Sequence, residues 1–207
     1  VTTRPGTGTV FRVEVPVSIA PLRAKRTSPE TIDVAIRTLN GFTFVVIEDN
    51  AEILNSLTRL IRSWGAEVVP STGYNAQLIK RISMHERIDA VIADHNLGPH
   101  SISGVEAVFK IRELVGMPVP IIMLTAVQRG DVVNEFQRVM QEHLLADPTS
   151  TAVARSPREE PIVLQKPTTA AVLNNSLGEL LGLTTLPMVR AQIPPAGSAA
   201  GSAKRSR

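Results

Sequence analysis

Cysteine is absent from this chain, and its absence excludes several kinds of chemistry at once. Without a thiol there is no disulfide framework, no thiolate metal site and no cysteine nucleophile. This fits a reducing compartment, and because the N-terminus shows no signal-peptide pattern we expect a cytoplasmic protein. No apolar run approaches the roughly 20 residues that cross a bilayer, so we expect no membrane contact.

Aromatic residues are also scarce, with a single Trp and a single Tyr, which leaves few rings for stacking on nucleic-acid bases. The net charge of +3 is concentrated at the ends of the chain. Residues 1–26 and 187–207 each carry +4, and the residues between them carry −5. A folded nucleic-acid interface needs positive charge clustered on one face, so we expect no nucleic-acid partner.

The central part of the chain alternates short apolar runs with amphipathic segments. Strands are predicted for residues 42–47, 66–69, 90–93, 121–126 and 161–164, and helices for residues 51–64, 75–85, 105–114, 132–145 and 172–181. This order predicts an α/β fold, a doubly wound five-stranded parallel sheet with helices on both faces. A polar insertion at about residues 147–160 interrupts the order.

Polar side chains follow four of the predicted strands: Glu48 and Asp49 the first, Asp94 the third, Thr125 the fourth and Lys166 the fifth. Because parallel strands end at the same edge of a sheet, we expect these groups to converge. Each has an ordinary alternative reading as a turn or helix-capping residue. Three carboxylates brought together repel one another, which favours a site that a divalent cation completes.

The first 22 residues contain a glycine-rich turn and then alternating apolar residues, which predict a strand over residues 10–17. The pattern resembles the last glycine box and following strand of histidine-kinase ATPase domains. The matching residues are Gly6, Gly8, Thr9, Phe11 and Pro16. The other boxes and the phosphoacceptor-histidine helix are missing, so the resemblance implies a C-terminal remnant of an ATPase domain in residues 1–22, without kinase activity of its own.

Two further segments flank the regular part of the chain. Residues 23–41 mix basic residues, a Ser-Pro step and a short amphipathic piece at residues 31–39, and we interpret them as a linker with one or two helical turns. Residues 184–207 are rich in Pro, Ala, Gly and Ser, and we expect a disordered tail.

The strand-end residues resemble those of the receiver domain of two-component response regulators, specifically the receiver of hybrid histidine kinases, over residues 42–183. The resemblance implies the flavodoxin-like strand order 2-1-3-4-5. It also implies that Asp94 is the phosphoacceptor, that Thr125 is the switch hydroxyl and that Lys166 contacts the phosphoryl group. The implied function is phosphorelay signal transduction.

The same resemblance implies a cofactor and partners. The cofactor is Mg²⁺, held by Asp49, Asp94 and the backbone carbonyl of Asn96, with Glu48 as the second member of the acidic pair. The phosphoryl donor is a phosphohistidine on a histidine kinase or a histidine phosphotransfer domain, and the acyl phosphate then hydrolyses slowly. The oligomeric state stays open, with a homodimer as one possibility.

Two departures from the family pattern keep another interpretation open. The switch aromatic is expected two residues before the lysine, where this chain has Leu164, and the spacing from Thr125 to Lys166 is longer than in ordinary receivers. The chain would then be a receiver-like interaction module whose phosphorylation no longer drives a conformational change. We also expect the insertion at residues 147–160 to remodel the signalling surface.

A third interpretation is a small doubly wound hydrolase or flavin-binding domain. It would need a glycine-rich phosphate loop after the first strand, where the chain has acidic residues. The histidines add no metal site, because His85, His100 and His143 lack ligand spacing. We expect His95 to be an exposed loop histidine.

Overall fold

The computed structural model describes residues 2–4, 6, 8–14, 36–149 and 160–183 of the chain. The chain divides into two compact units, Val1–Asp33 and Val34–Arg207. Most of the predicted linker, most of the insertion and the predicted tail lie outside the described residues. In the described part of the chain, no helix combines the length and the hydropathy of a membrane span.

The first unit contains a short antiparallel hairpin, in which β1 (Thr2–Arg4) pairs with β2 (Gly8–Val10). The strand that we predicted over residues 10–17 is wrong for residues 11–14, which form no strand. β1 begins at Thr2, opposite the last residue of β2, so residues 11–14 have no partner strand there and are exposed.

The second unit is built on a five-stranded parallel sheet. Its strands are β3 (Thr43–Ile47), β4 (Glu67–Ser71), β5 (Ala90–Asp94), β6 (Ile121–Thr125) and β7 (Ile162–Gln165). They are ordered β4-β3-β5-β6-β7, and every neighbouring pair is parallel. The predicted α/β fold with strand order 2-1-3-4-5 is therefore confirmed.

Five helices cover the two faces of the sheet: α1 (Ala51–Ser63), α2 (Ala76–Ile82), α3 (Gly104–Val115), α4 (Arg129–Ala146) and α5 (Ala170–Leu180). β5 shows how one apolar run serves both faces, since all five of its residues are buried. Val91 and Ala93 lie in a cluster with residues of α2, α3 and α4. Ala90 and Ile92 lie in a second cluster with residues of α1 and α5, because successive strand side chains point to opposite faces.

Every predicted boundary lies within three residues of the observed one, and α2 and β4 show what causes the remaining differences. α2 was expected over residues 75–85, but Asn75 caps it from outside and the chain turns after the second helical turn. β4 continues through Pro70, although we ended it at residue 69. β4 is an edge strand, which tolerates proline because one of its sides needs no ladder hydrogen bond.

Packing of the second unit begins before residue 42, where we predicted its boundary. The described residues 36–39 are not helical, so this part of the predicted linker helix is wrong. Leu39 is fully buried, and its N–H donates a hydrogen bond to the carbonyl of Trp64 at 2.6 Å. The end of the predicted linker therefore belongs to the core of the sheet domain.

A side-chain amide holds this upstream segment against α5. The Arg37 N–H donates to Asn174 Oδ1 at 2.7 Å, and Asn174 Nδ2 donates to the Arg37 carbonyl at 3.0 Å. Asn174 is buried, so these two hydrogen bonds satisfy both its own amide and the backbone of Arg37. They take the place of the helical hydrogen bonds that the sequence pattern led us to expect.

We expect Asn174→Ala to lower the free energy of unfolding by about 2 kcal/mol, because buried polar groups left unpaired cost roughly 1–3 kcal/mol. Asn175→Ala is the matched control, since Asn175 is exposed on the same helix. It should change stability by less than about 0.5 kcal/mol. Urea denaturation of both variants measures the difference, and equal effects would contradict the role given to Asn174.

Candidate functional site

The carboxyl edge of the sheet brings together polar residues from four strands. Asp94 is the last residue of β5, and Glu48 directly follows β3. Lys166 directly follows β7, and its backbone N–H donates to the carbonyl of Thr125 at the end of β6, at 2.7 Å. Parallel pairing therefore places all four strand ends side by side.

Three carboxylates form an acidic cluster at this edge. Glu48, Asp49 and Asp94 each have a carboxylate oxygen, and these oxygens lie within 4.8 Å of one another. Glu48 and Asp94 are buried, whereas Asp49 is exposed. Hard divalent cations bind oxygen ligands of this kind, so the chemistry of these donors fits such an ion. In the described part of the chain, this is the one group of acidic, histidine or cysteine residues close enough to hold a metal.

Lys166 is the cation that balances this cluster. Its Nζ lies 2.7 Å from Glu48 Oε2 and 2.9 Å from Asp94 Oδ2. The Glu48 side chain is only 2% exposed and that of Asp94 only 11%, so water screens these contacts little. The ammonium group is thus held between the two buried carboxylates.

The local environment shifts the pKa values of two of these groups. Burial raises the pKa of Glu48 above its ordinary value, and together with the charge of Asp94 it outweighs the hydrogen bond from Lys166. Burial alone would lower the pKa of Lys166. Its hydrogen bonds to Glu48 and Asp94 and their negative charges more than compensate, so the pKa of Lys166 is raised. Lys166 is therefore held in its charged form.

Thr125 lies at the same edge but makes a different contact. It is buried, and its Oγ1 accepts a hydrogen bond from the Val127 N–H at 3.0 Å. Among the described residues, its hydroxyl has no hydrogen bond to the acidic cluster. The hydroxyl proton stays free to be donated, because the hydroxyl oxygen serves as acceptor here.

The loop after β5 is shaped by two glycines that the sequence analysis did not single out. Gly98 has φ of +90°, and a Cβ there would lie 3.4 Å from Asp49 Oδ2. A Cβ on Gly104, at the start of α3, would collide with the carbonyl oxygen of Asp94. Asn96 is exposed, and its N–H lies 3.4 Å from Asp94 Oδ1. The metal-binding role of the Asn96 carbonyl stays a prediction.

His95 is not the exposed loop histidine that we expected. Its side chain is 18% exposed, and its Nε2 lies 2.7 Å from Glu135 Oε2 on α4. The two residues are 40 positions apart, so sequence spacing carried no signal of the contact. His95, which directly follows the candidate phosphoacceptor Asp94, therefore connects the loop after β5 to α4.

β7 presents aliphatic residues to both faces of the sheet. Leu164, the position where we expected the switch aromatic, packs on the cluster shared with α1 and α5. Val163 packs on the other cluster, which contains Phe136 of α4. The residue of β7 on the α4 side is therefore Val163, because strand side chains alternate, and it too lacks a ring.

A solved structure shows the same fold. The chain is similar to Vibrio cholerae chemotaxis protein CheY4, with a TM-score of 0.51 and 20% identity over 68% of this chain and 98% of that one. It also matches a response regulator receiver domain protein from Clostridium thermocellum, with a TM-score of 0.49 and 22% identity over 69% and 95% of the two chains. No curated protein matches the chain.

A family model covers the central part of the chain. The model is described as the response regulator receiver domain, and it matches residues 44–152, just over half of the chain. β7 and Lys166 lie beyond the matched residues, and the structure places them beside the acidic cluster. The chain therefore belongs to the response regulator receiver domain family, whose general role is phosphorelay signalling.

Proposed function

We propose that this chain accepts a phosphoryl group from a phosphohistidine onto Asp94. The observation that carries the proposal is the contact between Lys166 and Asp94 at 2.9 Å, inside a cluster that also contains Glu48 and Asp49. Asp94 is fixed at the end of a buried strand, yet its carboxylate retains some exposure. The edge thus offers a nucleophile, acidic ligands and a cation together.

Mg²⁺ is the proposed cofactor. Asp49, Asp94 and the carbonyl of Asn96 would hold it, with Glu48 beside them, and the rest of its coordination would be water. When bound, the ion would neutralise the negative charge of the incoming phosphoryl group. Asp49 suits this role because it is exposed, whereas Glu48 already pairs with Lys166.

In the transfer step, a carboxylate oxygen of Asp94 attacks phosphorus while the bond from phosphorus to the donor histidine nitrogen breaks. The electron pair of that bond stays on the imidazole, and Asp94 becomes an acyl phosphate. Lys166 would exchange its contact with Asp94 for one with a phosphoryl oxygen. Thr125 would donate its free hydroxyl proton to another, and turning its side chain to do so would break the hydrogen bond from Val127. Water later hydrolyses the acyl phosphate to phosphate and restores Asp94.

The wider organisation of the chain is part of the same proposal. The receiver spans about residues 42–183, with the packed segment 36–39 in front of it. Residues 1–22 would be the end of a histidine-kinase ATPase domain, which makes the parent protein a hybrid histidine kinase. The glycine-box residues quoted above support this, and the donor would be that kinase or a histidine phosphotransfer domain. We place the protein in the cytoplasm.

A second candidate function is a receiver-like interaction module with weakened switching. The observation that favours it is the aliphatic character of β7, where Val163 and Leu164 occupy the two faces and no ring is present. Such a module would bind its partner equally well with and without phosphorylation of Asp94. Partner affinity measured in the two states distinguishes it from the first candidate.

The first prediction from this proposal concerns the phosphoacceptor. With Mg²⁺ and acetyl phosphate, the chain should gain one phosphoryl group, and Asp94→Asn should abolish the gain because it removes the nucleophile. Intact-protein mass spectrometry measures the added mass. Asp131→Asn, at an exposed position of α4, is the control and should be labelled like the wild type. Labelling that persists in Asp94→Asn would overturn the assignment.

The second prediction concerns the metal. Asp49→Ala should weaken Mg²⁺ binding by about tenfold or more, because one charged oxygen ligand is lost. Glu52→Ala removes an exposed carboxylate nearby on α1 and should leave the affinity unchanged. Isothermal titration calorimetry measures both. Equal affinities in Asp49→Ala and the wild type would show that the ion is held elsewhere.

The third prediction uses the raised pKa of Lys166. A raised pKa stabilises the folded protein fully below the ordinary value of 10.5, and this contribution is lost as pH rises through the folded-state pKa. Without Mg²⁺, Lys166→Met should be less stable than wild type near neutrality, and the difference should shrink above pH 10.5. Lys80→Met, at an exposed position, should show no such convergence. Denaturant unfolding across this pH range tests it, and a constant difference would contradict it.

A further inference from the structure

His95 directly follows the proposed phosphoacceptor, and two hydrogen bonds of its backbone hold it in place. Its N–H donates to the carbonyl of Leu124 on β6 at 2.9 Å, and its carbonyl accepts from the N–H of Gly104 at 2.9 Å. These hydrogen bonds tie it to the sheet on one side and to the start of α3 on the other. The side chain of His95 is therefore aimed from a rigid position, and it reaches Glu135 on α4.

Glu135 joins three elements of the fold. It lies on α4, it accepts a hydrogen bond from His95 at 2.7 Å, and the side chain of Ser103 helps to lower its pKa. Ser103 is the N-cap of α3, where it forms a reciprocal capping box with Glu106. Glu135 thus links α4 to the loop after β5 and to the beginning of α3.

This contact is largely withdrawn from water, since the side chains of His95 and Glu135 are 18% and 23% exposed. Burial opposes the charge of Glu135, but hydrogen bonds from Ser103 and His95 and the nearby positive charges outweigh it and lower its pKa. An ionised carboxylate only accepts hydrogen bonds, so His95 Nε2 acts as the donor. Charge-assisted hydrogen bonds of this kind are stronger than neutral ones.

Few other polar contacts hold the N-terminal end of α4 in the described part of the chain. Gln128 is its N-cap but makes no side-chain capping hydrogen bond. The residue before it, Val127, bonds to Thr125 Oγ1 at 3.0 Å and, through its carbonyl, to Gln165 Nε2 at 3.4 Å. If Thr125 turns to a phosphoryl group, the first of these is broken. The contact between His95 and Glu135 then remains between α4 and the site.

We propose that Glu135 is a positioning residue that couples α4 to Asp94 through His95. A phosphoryl group on Asp94 adds negative charge directly before His95, and because the backbone of His95 is held, the His95 side chain and the Glu135 carboxylate bound to it respond. β7 offers no aromatic side chain for this role, because Val163 and Leu164 are both aliphatic, and the contact between His95 and Glu135 joins α4 to the loop after Asp94. This inference rests on the proposed function of Asp94 and adds the means by which α4 responds.

The test uses the full chain with Mg²⁺ and beryllofluoride, an analogue of the phosphoryl group. Hydrogen exchange of the α4 amides, followed by mass spectrometry, should change by about threefold or more when the analogue binds the wild type. His95→Ala and Glu135→Ala should each remove most of this change while Asp94 is still labelled by acetyl phosphate. The double variant should lose no more than either single one, as expected for two residues acting through one contact.

Two further variants serve as controls. Glu142→Ala removes an exposed carboxylate of the same helix, one that pairs with Arg138 at the surface, and it should respond like the wild type. Glu135→Gln keeps the side-chain length and one acceptor oxygen, so it should retain a large part of the response. If Glu135→Ala fails to fold, His95→Ala decides the matter, because loss of the response in His95→Ala beside a responding Glu135→Gln would match a broken contact.

The outcomes separate the coupling from the chemistry. A wild type that acetyl phosphate does not label overturns the proposed function, and the coupling with it. A wild type that is labelled but shows no change in α4 exchange overturns the coupling alone. The coupling is also overturned if His95→Ala and Glu135→Ala respond to beryllofluoride like Glu142→Ala.

Discussion

The ion contacts of Lys166 at the carboxyl edge of the sheet are the constraint on which the rest of the site depends. Three carboxylates lie there within 4.8 Å of one another, and two of them are buried. Like charges at such distances disfavour ionisation, so the edge needs a cation in every state of the protein. Lys166 supplies one positive charge to Glu48 and Asp94. One ammonium does not balance three carboxylates, and the remaining negative charge is what a divalent cation would offset.

The sheet makes this arrangement possible, because each charged group lies at or just after the end of a strand. Each of these strands either pairs with a neighbouring strand on both edges or packs against helices on both faces. The backbone of Asp94 is further confined by the start of α3, where only a glycine fits at position 104. Elsewhere in the domain, Asn174 fastens the upstream segment to α5. The functional site and the segment at residues 36–39 are thus both anchored to the same packed core. Glu135 adds a connection from the site to α4.

Much of this could be predicted from the sequence, because a short apolar run that ends in polar residues indicates a buried parallel strand and the edge of the sheet at which that strand ends. That rule alone placed Glu48, Asp94 and Lys166 at one edge. It could not find the partner of His95 or that of Arg37, since those contacts depend on how distant elements approach, across 40 and 137 positions. The strand predicted over residues 10–17 is wrong at residues 11–14 for the same reason, because alternation does not show whether a partner strand exists, and residues 15–17 lie outside the described part of the chain.

The most direct test of the central claim is a crystal structure of the chain with Mg²⁺ and beryllofluoride. We predict beryllium bonded to a carboxylate oxygen of Asp94, the metal on Asp49 and Asp94, and Lys166 Nζ within hydrogen-bond distance of a fluorine. Thr125 should have turned its hydroxyl to another fluorine. A structure with the analogue bound away from Asp94, or with Lys166 still paired only to carboxylates while the analogue is present, would contradict the account.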